Sequence, residues 1–215
     1  RFCVFSAGGK RGILSLMRGV TSMKIKQQKQ IGEFLAEQFG QERGNALFAR
    51  QEKTLLALIE SEKGKSQSQR KTLTQRVLPC IALYKTLQED FSKADAYAYM
   101  QKYMLEKVAA KQQKSMERME LVPGFYALYS RIFLKVMRGS DLWQSTQSHA
   151  ADSFDVTIQK CLWHTACTEN GCAELCRLFC DVDNVTYGGR KKIGFSRTKT
   201  LGYGGDCCDF HFFRK

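Results

Sequence analysis

The spacing of apolar residues changes near residue 140, and this change limits the folds open to the chain. In the upstream stretch "IGEFLAEQF", apolar residues recur three or four positions apart, the spacing of a helix with one buried face. In the downstream stretch "SFDVTIQKC", Phe154, Val156 and Ile158 alternate with polar residues, as in a half-buried strand. We therefore expect an α+β fold. In it, one domain over residues 1–215 has a mainly helical N-terminal layer, residues 1–140, packed on a C-terminal antiparallel sheet within residues 141–215.

Glycine and proline divide the helical part. One helix is predicted to end at Gly40 and the next at Gly64. The polar run "EKGKSQSQRK" around Gly64 has the composition of a loop. Beyond it, Pro79 is expected either to begin or to kink a buried helix, because proline lacks a backbone N–H group.

The strand-rich part contains four predicted elements. A strand over "SFDVTIQKCLWH" would place Cys161 and His164 on opposite faces. A short helix over "ELCRLFCDVD" would align Cys172, Cys176 and Cys180 along one stripe, since they are four residues apart. Two further strands, "KIGFSRTKTL" and "CCDFHFF", are predicted to be joined by the glycine-rich turn "GYGGD".

The net charge of +13 is concentrated in the helical part. Residues 1–120 contain 22 Lys and Arg against 12 Asp and Glu, whereas residues 121–215 contain 12 against 9. Because acids are interspersed among the bases, a solvated helical surface is favoured over a nucleic-acid interface, and nucleic acid is not predicted as a partner. No apolar run approaches the roughly 20 residues of a membrane span, and no secretory leader is recognised, so a cytoplasmic location is expected.

Nine cysteines are unusual for such a chain, and seven of them lie in its last 55 residues. An odd cysteine count without a secretory leader indicates a reducing compartment rather than a disulfide framework. The thiols would then be free, catalytic or bound to metal. The seven are Cys161, Cys167, Cys172, Cys176, Cys180, Cys207 and Cys208.

Two chemical interpretations of these cysteines remain open beside plain packing. The stretch "CLWH" provides a Cys-x-x-His pair, but no second short pair follows, so zinc is only an alternative, and otherwise no cofactor is predicted. Thiol chemistry needs a nearby base or acid. Three cysteines on three different predicted elements are the candidates. Cys161 has His164 three residues away, Cys180 has Asp183 three residues away, and Cys208 is followed by Asp209.

The C-terminal motifs resemble the L-2-amino-thiazoline-4-carboxylic acid hydrolase family. The similarity covers roughly residues 70–213, beginning with "LPCIALYKTLQ". Its specific part is the ordered combination of Cys161, "ELCRLFC" with Asp183, "RTKTL" and "GGDCCDFHF". The chain departs from the family pattern at His211, where arginine is usual.

The resemblance implies a hydrolase that opens a small cyclic amidine or thiazoline carboxylate to an N-carbamoyl amino acid. Arg197 would anchor the substrate carboxylate, and Thr200 and Glu174 would also contact the substrate. Cys161 or Cys180 would be the nucleophile, or Asp183 the base that activates water.

A proton donor to the departing atom completes the implied site. His164, Cys208 and Asp209 are the candidates for this role. On a regular strand Cys208 and Asp209 point to opposite faces, so both could enter one site only at a bulge. Cys208 is preferred to its neighbour Cys207, which is expected to pack in the interior.

Two other classes of function remain possible. A small-molecule sensor could retain the same framework without turnover, because a fold does not determine activity. A large apolar pocket would favour the sensor, whereas a closed pocket with an arginine and perturbed thiols would favour the enzyme. The basic N-terminal half leaves a weaker third possibility, a protein of nucleic-acid or membrane surfaces.

Overall fold

A computed structural model describes residues 25–215 and has the expected α+β architecture. Helices occupy the N-terminal part, and a four-stranded antiparallel sheet with the order β1-β2-β4-β3 occupies the C-terminal part. The part of the predicted first helix before residue 25 lies outside the described residues. The helices are α1 (Lys26–Phe39), α2 (Gln41–Ser61), α3 (Gln67–Thr72), α4 (Leu78–Asp90), α5 (Lys93–Lys102), α6 (Ala110–Met119), α7 (Phe125–Gly139), α8 (Leu162–Glu169) and α9 (Cys176–Tyr187). The strands are β1 (Trp143–His149), β2 (Ser153–Cys161), β3 (Ile193–Ser196) and β4 (Cys208–Arg214).

Helices α1 and α2 form a tight antiparallel pair. Gly40 ends α1 with a φ of 79°, a left-handed value that suits glycine and reverses the chain, as predicted. Within α2, a Cβ on Gly44 would lie 2.7 Å from the Cα atom of Ala36, so only glycine permits this close approach. The pair buries Ile31, Phe34 and Leu47 against α4.

The predicted loop around Gly64 is shorter than the sequence indicated. The helix α3 already begins at Gln67, because Ser66 and Gln69 form a reciprocal capping box. The chain then continues through a π-helical segment, Leu73–Val77, directly into α4. Pro79 lies in the first turn of α4, where its missing N–H group is tolerated after the widened turn.

A second π-helical segment, Tyr103–Ala109, connects α5 to α6. Such segments are rare and occur frequently at functional sites, because the extra residue per turn redirects side chains. Ser92 caps α5 by accepting a hydrogen bond from the backbone N–H group of Asp95. Across the described residues, no helix combines the length and apolarity that a membrane crossing requires.

The sheet includes a strand that the sequence analysis missed. Strand β1 forms the edge of the sheet, and it is mostly polar, "WQSTQSH", so it lacks the apolar alternation of a half-buried strand. Strand β2 begins at Ser153, as its alternation predicted, but it ends at Cys161, before the predicted end at His164. However, α8 begins at Leu162, so His164 is helical and the expected strand relation between Cys161 and His164 is wrong.

The third strand is shorter than predicted, so the last two strands are farther apart in sequence. Strand β3 ends at Ser196, so "RTKTL" is not a strand, and the segment 197–207 contains a 3₁₀ turn over Leu201–Tyr203. We call residues 197–207 the 197–207 segment. Strand β4 pairs with both β2 and β3, in a register without the bulge considered at Cys208. Two hydrophobic cores result, one among the helices and one between the sheet and α7.

Candidate functional site

A cavity of about 590 Å³ lies where the helical layer meets the sheet. Its walls come from α9, from strands β2 and β4, from α7 and from both π-helical segments. This volume is within the range of small-molecule sites. The polar and ionisable side chains of the inner part are Cys161, Cys176, Cys180, Asp183, Tyr187 and Cys208. Aromatic and apolar walls surround them, including Phe133, Trp143, Ile158, Trp163, Phe179 and Phe210.

Helix α9 contributes one continuous stripe to this cavity. Cys176, Cys180, Asp183 and Tyr187 are spaced four, three and four residues apart, so they follow one face of the helix. All four line the cavity. The predicted stripe therefore holds for Cys176 and Cys180, and Asp183 and Tyr187 extend it. Cys172 lies before the helix and does not line the cavity.

Among residues 25–215, Asp183 is the only carboxylate that lines the cavity. Its burial among apolar walls raises the pKa of its carboxyl group to about 7, although the nearby guanidinium of Arg197 opposes this rise. The side chain is still 33% exposed, because it faces the cavity space. A carboxyl group with a pKa near 7 can both accept and release a proton at neutral pH.

Arg197 supports Asp183 from outside the cavity. Its Nη1 donates to Oδ2 of Asp183 at 3.3 Å, and its Nη2 donates to the carbonyl oxygen of Cys180 at 2.6 Å. The guanidinium also lies 5.6 Å from the ring centre of Phe195 and 5.5 Å from that of Phe210. Arg197 is 7% exposed and is not among the lining residues, so its donors are engaged with the protein itself.

Cys161 lies at the junction of β2 and α8. Burial raises the pKa of its thiol to about 12, while the backbone N–H groups of His164 and Trp163 at the start of α8 act in the opposite direction. The thiol is therefore protonated at neutral pH. The His164 side chain does not line the cavity, but it is close enough to lower the pKa of Cys176.

Cys208 and Asp209 have different surroundings, because the regular strand β4 points them to opposite faces. The Cys208 thiol lines the cavity, and its sulfur accepts a hydrogen bond from the backbone N–H group of Leu201 at 3.3 Å. Burial raises its pKa. Cys207 is buried but is not among the lining residues.

Asp209 binds the 197–207 segment instead of the cavity. Its carboxylate accepts hydrogen bonds from the backbone N–H groups of Thr198 and Lys199, at 3.0 Å and 2.8 Å, and from the Thr198 hydroxyl. The structure therefore does not bring Asp209 together with the other candidate catalytic groups.

The 197–207 segment is packed tightly against α9. Thr200 is 4% exposed; its hydroxyl lies against the Cys180 thiol and accepts a hydrogen bond from the Tyr203 backbone N–H group. A Cβ on Gly202 would lie 2.8 Å from the sulfur of Cys180, so a side chain at Gly202 would displace the turn. Thr200 does not line the cavity, but its hydroxyl contacts Cys180, which does.

Glu174 is separated from the cavity. One of its carboxylate oxygens accepts a hydrogen bond from the Tyr84 hydroxyl at 2.9 Å and pairs with Nζ of Lys93 at 2.7 Å. Tyr84 belongs to the motif "LPCIALYKTLQ", so this contact joins the two segments that carried the resemblance. The contacts of Glu174 therefore join α4 and α5 to the turn before α9.

Cys176 lines the cavity, although the sequence analysis did not name it among the candidate catalytic residues. Its thiol lies between those of Cys167 and Cys180, and hydrogen bonds from both lower its pKa. The pKa of Cys180, which is a donor in this arrangement, is raised. Its position one turn before Cys180 was the available signal.

Within residues 25–215, no three His, Cys, Asp or Glu side chains are arranged so that they could hold a metal ion. The residues present thus do not fit the zinc site that "CLWH" suggested.

The outer part of the cavity is basic and rich in amides. Lys26, Arg76 and Lys111 line it, and the two π-helical segments contribute Arg76 from one side and Met104 from the other. The glutamines of this part are Gln27, Gln30, Gln75 and Gln112. A cavity with a cationic outer part and a carboxylate and thiols inside suits a small anionic ligand.

Comparison with known proteins gives one match. The family model described as L-2-amino-thiazoline-4-carboxylic acid hydrolase matches residues 70–212, which include all of the inner polar lining. No curated protein and no solved structure matches the chain.

Proposed function

Since the chain belongs to the L-2-amino-thiazoline-4-carboxylic acid hydrolase family, we propose that it hydrolyses a small cyclic amidine of the 2-aminothiazoline-4-carboxylate type. The product would be an N-carbamoyl amino acid with a free thiol. The observation that carries the proposal is that Asp183, whose carboxyl has a pKa of about 7, lines the same cavity as four thiols.

The pKa values favour water over a thiol as the nucleophile. Burial keeps Cys161 and Cys208 protonated, and a protonated thiol is a weak nucleophile. Asp183 is close to half ionised at neutral pH and can take a proton from water. Cys176, the thiol with a lowered pKa, is the competing nucleophile.

The proposed reaction adds one water molecule to the substrate. The water oxygen bonds to the ring carbon that carries the amino group, and Asp183 passes one water proton to the ring nitrogen. The carbon–sulfur bond then breaks as the new hydroxyl becomes a carbonyl, and the sulfur takes the hydroxyl proton. Cys208 and Cys161 provide protonated thiols along this wall, through which that proton can reach the departing sulfur.

The direct test compares turnover of 2-aminothiazoline-4-carboxylate by the wild type and by Asp183→Asn. We expect kcat/KM to fall by about 10²- to 10⁴-fold, the usual loss for a general base. Asp181→Asn is the matched control, because Asp181 lies on the same helix, binds the Tyr203 hydroxyl and does not line the cavity. Full activity of Asp183→Asn would contradict the proposal and favour Cys176 as the nucleophile.

The substrate carboxylate is proposed to bind at the cationic outer part of the cavity. Arg197 is engaged by Asp183 and Cys180, whereas Arg76 lines the cavity. Arg76→Gln should raise KM about tenfold with little change in kcat, because an exposed charged hydrogen bond contributes about 1.4 kcal/mol. Arg70→Gln, an exposed change on the preceding helix, should leave KM unchanged; equal KM values for the two variants would exclude Arg76.

A sensor without turnover is the second candidate. The observation in its favour is the size of the cavity, of which a single thiazoline ring fills only part. Measurable binding of the aminothiazoline carboxylate by calorimetry, with no N-carbamoyl product by mass spectrometry, would favour the sensor.

A further inference from the structure

Helix α7 exposes a continuous apolar stripe. Leu128, Ile132 and Val136 are spaced by four residues and are 45%, 52% and 51% exposed. Exposed single apolar residues are ordinary, but three in a row on one helix face form a patch that usually marks an interaction surface. The opposite face of α7 already packs on the sheet through Leu134 and Met137.

The apolar stripe has a basic stripe beside it. Arg131, Lys135 and Arg138 are exposed, and at 100° per residue they lie next to Leu128 and Ile132 on the solvent half of the helix. Helix α7 contains no Asp or Glu, and none of the three bases pairs with a carboxylate among residues 25–215. The solvent-exposed face of α7 therefore consists of an apolar stripe and a basic stripe side by side.

The turn before α7 continues this surface. Leu121 is 79% exposed and Val122 is 42% exposed, in the turn between α6 and α7. Exposed apolar side chains of this kind can insert into a fluid interface, which needs no complementary pocket. Because α7 contains no Asp or Glu, a second copy docked on the same face would instead bring two sets of bases together without a carboxylate of α7 between them.

We propose that the exposed face of α7, with the turn at Leu121 and Val122, docks on the surface of an anionic lipid bilayer. The apolar stripe would enter the acyl boundary, and the basic stripe would contact lipid phosphates and carboxylates. Val136 belongs both to the stripe and to the cavity lining, so docking would bring one wall of the cavity to the membrane surface. This association is independent of the hydrolase reaction.

The test is co-sedimentation of the full chain with vesicles of phosphatidylcholine alone and of phosphatidylcholine mixed with phosphatidylserine. We expect binding to the anionic vesicles, weakened by salt, and little binding to the neutral ones. Lys135→Gln should lower the partition coefficient about fivefold, since each base near an anionic surface contributes about 1 kcal/mol. Lys53→Gln, on helix α2, is the matched control and should leave it unchanged.

The apolar half is tested by Ile132→Ser. It should also lower the partition coefficient about fivefold, since roughly half of an isoleucine side chain would leave the lipid. Thermal unfolding at the wild-type temperature would show that this exposed change leaves the fold intact. Absence of wild-type binding to anionic vesicles would overturn the proposal, as would binding that ignores Ile132→Ser. A dimer in solution that Ile132→Ser dissociates, without vesicle binding, would assign the face to self-association instead.

Discussion

The residues of the C-terminal motifs separate into two regions with different surroundings. Cys176, Cys180 and Asp183 on α9, together with Cys208 on β4, face the cavity. Residues of the 197–207 segment and Asp209 lie behind this wall and bind the backbone and side chains that form it. Both regions belong to the same family match. We infer from this difference that some motif residues serve to hold the cavity wall in place.

We call the 197–207 segment and Asp209 the support region, because hydrogen bonds between them hold the segment in place. The 197–207 segment has little regular structure, so its backbone groups need other partners. Asp209 accepts from two N–H groups at its start, and the Thr200 carbonyl accepts from Gly205 at its end. Held in this way, the segment delivers Arg197 to Asp183 and the Leu201 N–H group to Cys208. We therefore expect substitutions of the cavity-facing residues to change mainly the rate of turnover, and substitutions in the support region to change mainly the free energy of unfolding.

The largest effect is expected for Arg197→Met. The buried pair with Asp183 would be broken, and we expect a loss of about 3 kcal/mol in the free energy of unfolding, at the low end for such pairs because Asp183 reaches cavity water. Losing the guanidinium would also raise the pKa of Asp183 further, so the midpoint of the pH–rate profile should move to higher pH. Urea unfolding and the pH dependence of kcat/KM measure the two effects.

Arg177→Met is the control for this change. Arg177 lies exposed on α9, the helix that carries Asp183, and its guanidinium is 5.5 Å from the ring centre of Tyr203. Its loss should cost less than about 1 kcal/mol in the free energy of unfolding. One other result for Arg197→Met would place Arg197 with the cavity-facing residues instead of the support region. If KM rose steeply while stability and the pH midpoint stayed unchanged, Arg197 would bind the substrate carboxylate directly, as the sequence analysis expected.

A smaller effect is expected for Asp209→Asn. Burial opposes ionisation of Asp209, but hydrogen bonds from Thr198 and Lys199 outweigh it, so the pKa of this carboxyl is lowered in the folded protein. Its contribution is therefore present at neutral pH and is lost as the pH falls through the lowered pKa. We expect the variant to lose about 1 kcal/mol of unfolding free energy at neutral pH, and the difference from wild type to vanish in acid.

The rate measurement decides whether Asp209 belongs to the support region. The kcat of Asp209→Asn should stay close to that of the wild type. The control Asp206→Asn removes only an exposed pair with Lys199, so it should change neither the stability nor the rate appreciably. A loss of kcat at unchanged stability would move Asp209 to the cavity wall and make it a catalytic group.

The sequence could predict one region better than the other. The α9 stripe follows from helical spacing, and the opposite faces of Cys208 and Asp209 follow from strand alternation. Both are local rules that depend only on the period of the element. The architecture was also predictable, because the change of period near residue 140 separates the helices from the sheet.

The remaining features depend on contacts between distant residues. The strand β1 is polar and gains its partners only when β2 is present, so no alternation indicates it. The sequence analysis extended the third strand through "RTKTL", yet Asp209 binds the backbone of Thr198 and Lys199 in another conformation. The direction of Arg197, which turns toward Asp183, is set by packing between Phe195 and Phe210 and could not be obtained from spacing.

The pH dependence of kcat/KM tests the central claim, that Asp183 is the base of the cavity, most directly. The base must be ionised to accept a proton from water, so the rate should rise with pH through a midpoint at about 7. This step should disappear in Asp183→Asn, whose residual rate would be independent of pH in that range. A midpoint near 7 that persists in Asp183→Asn, or a wild-type rate without any change between pH of about 5 and 9, would contradict the account.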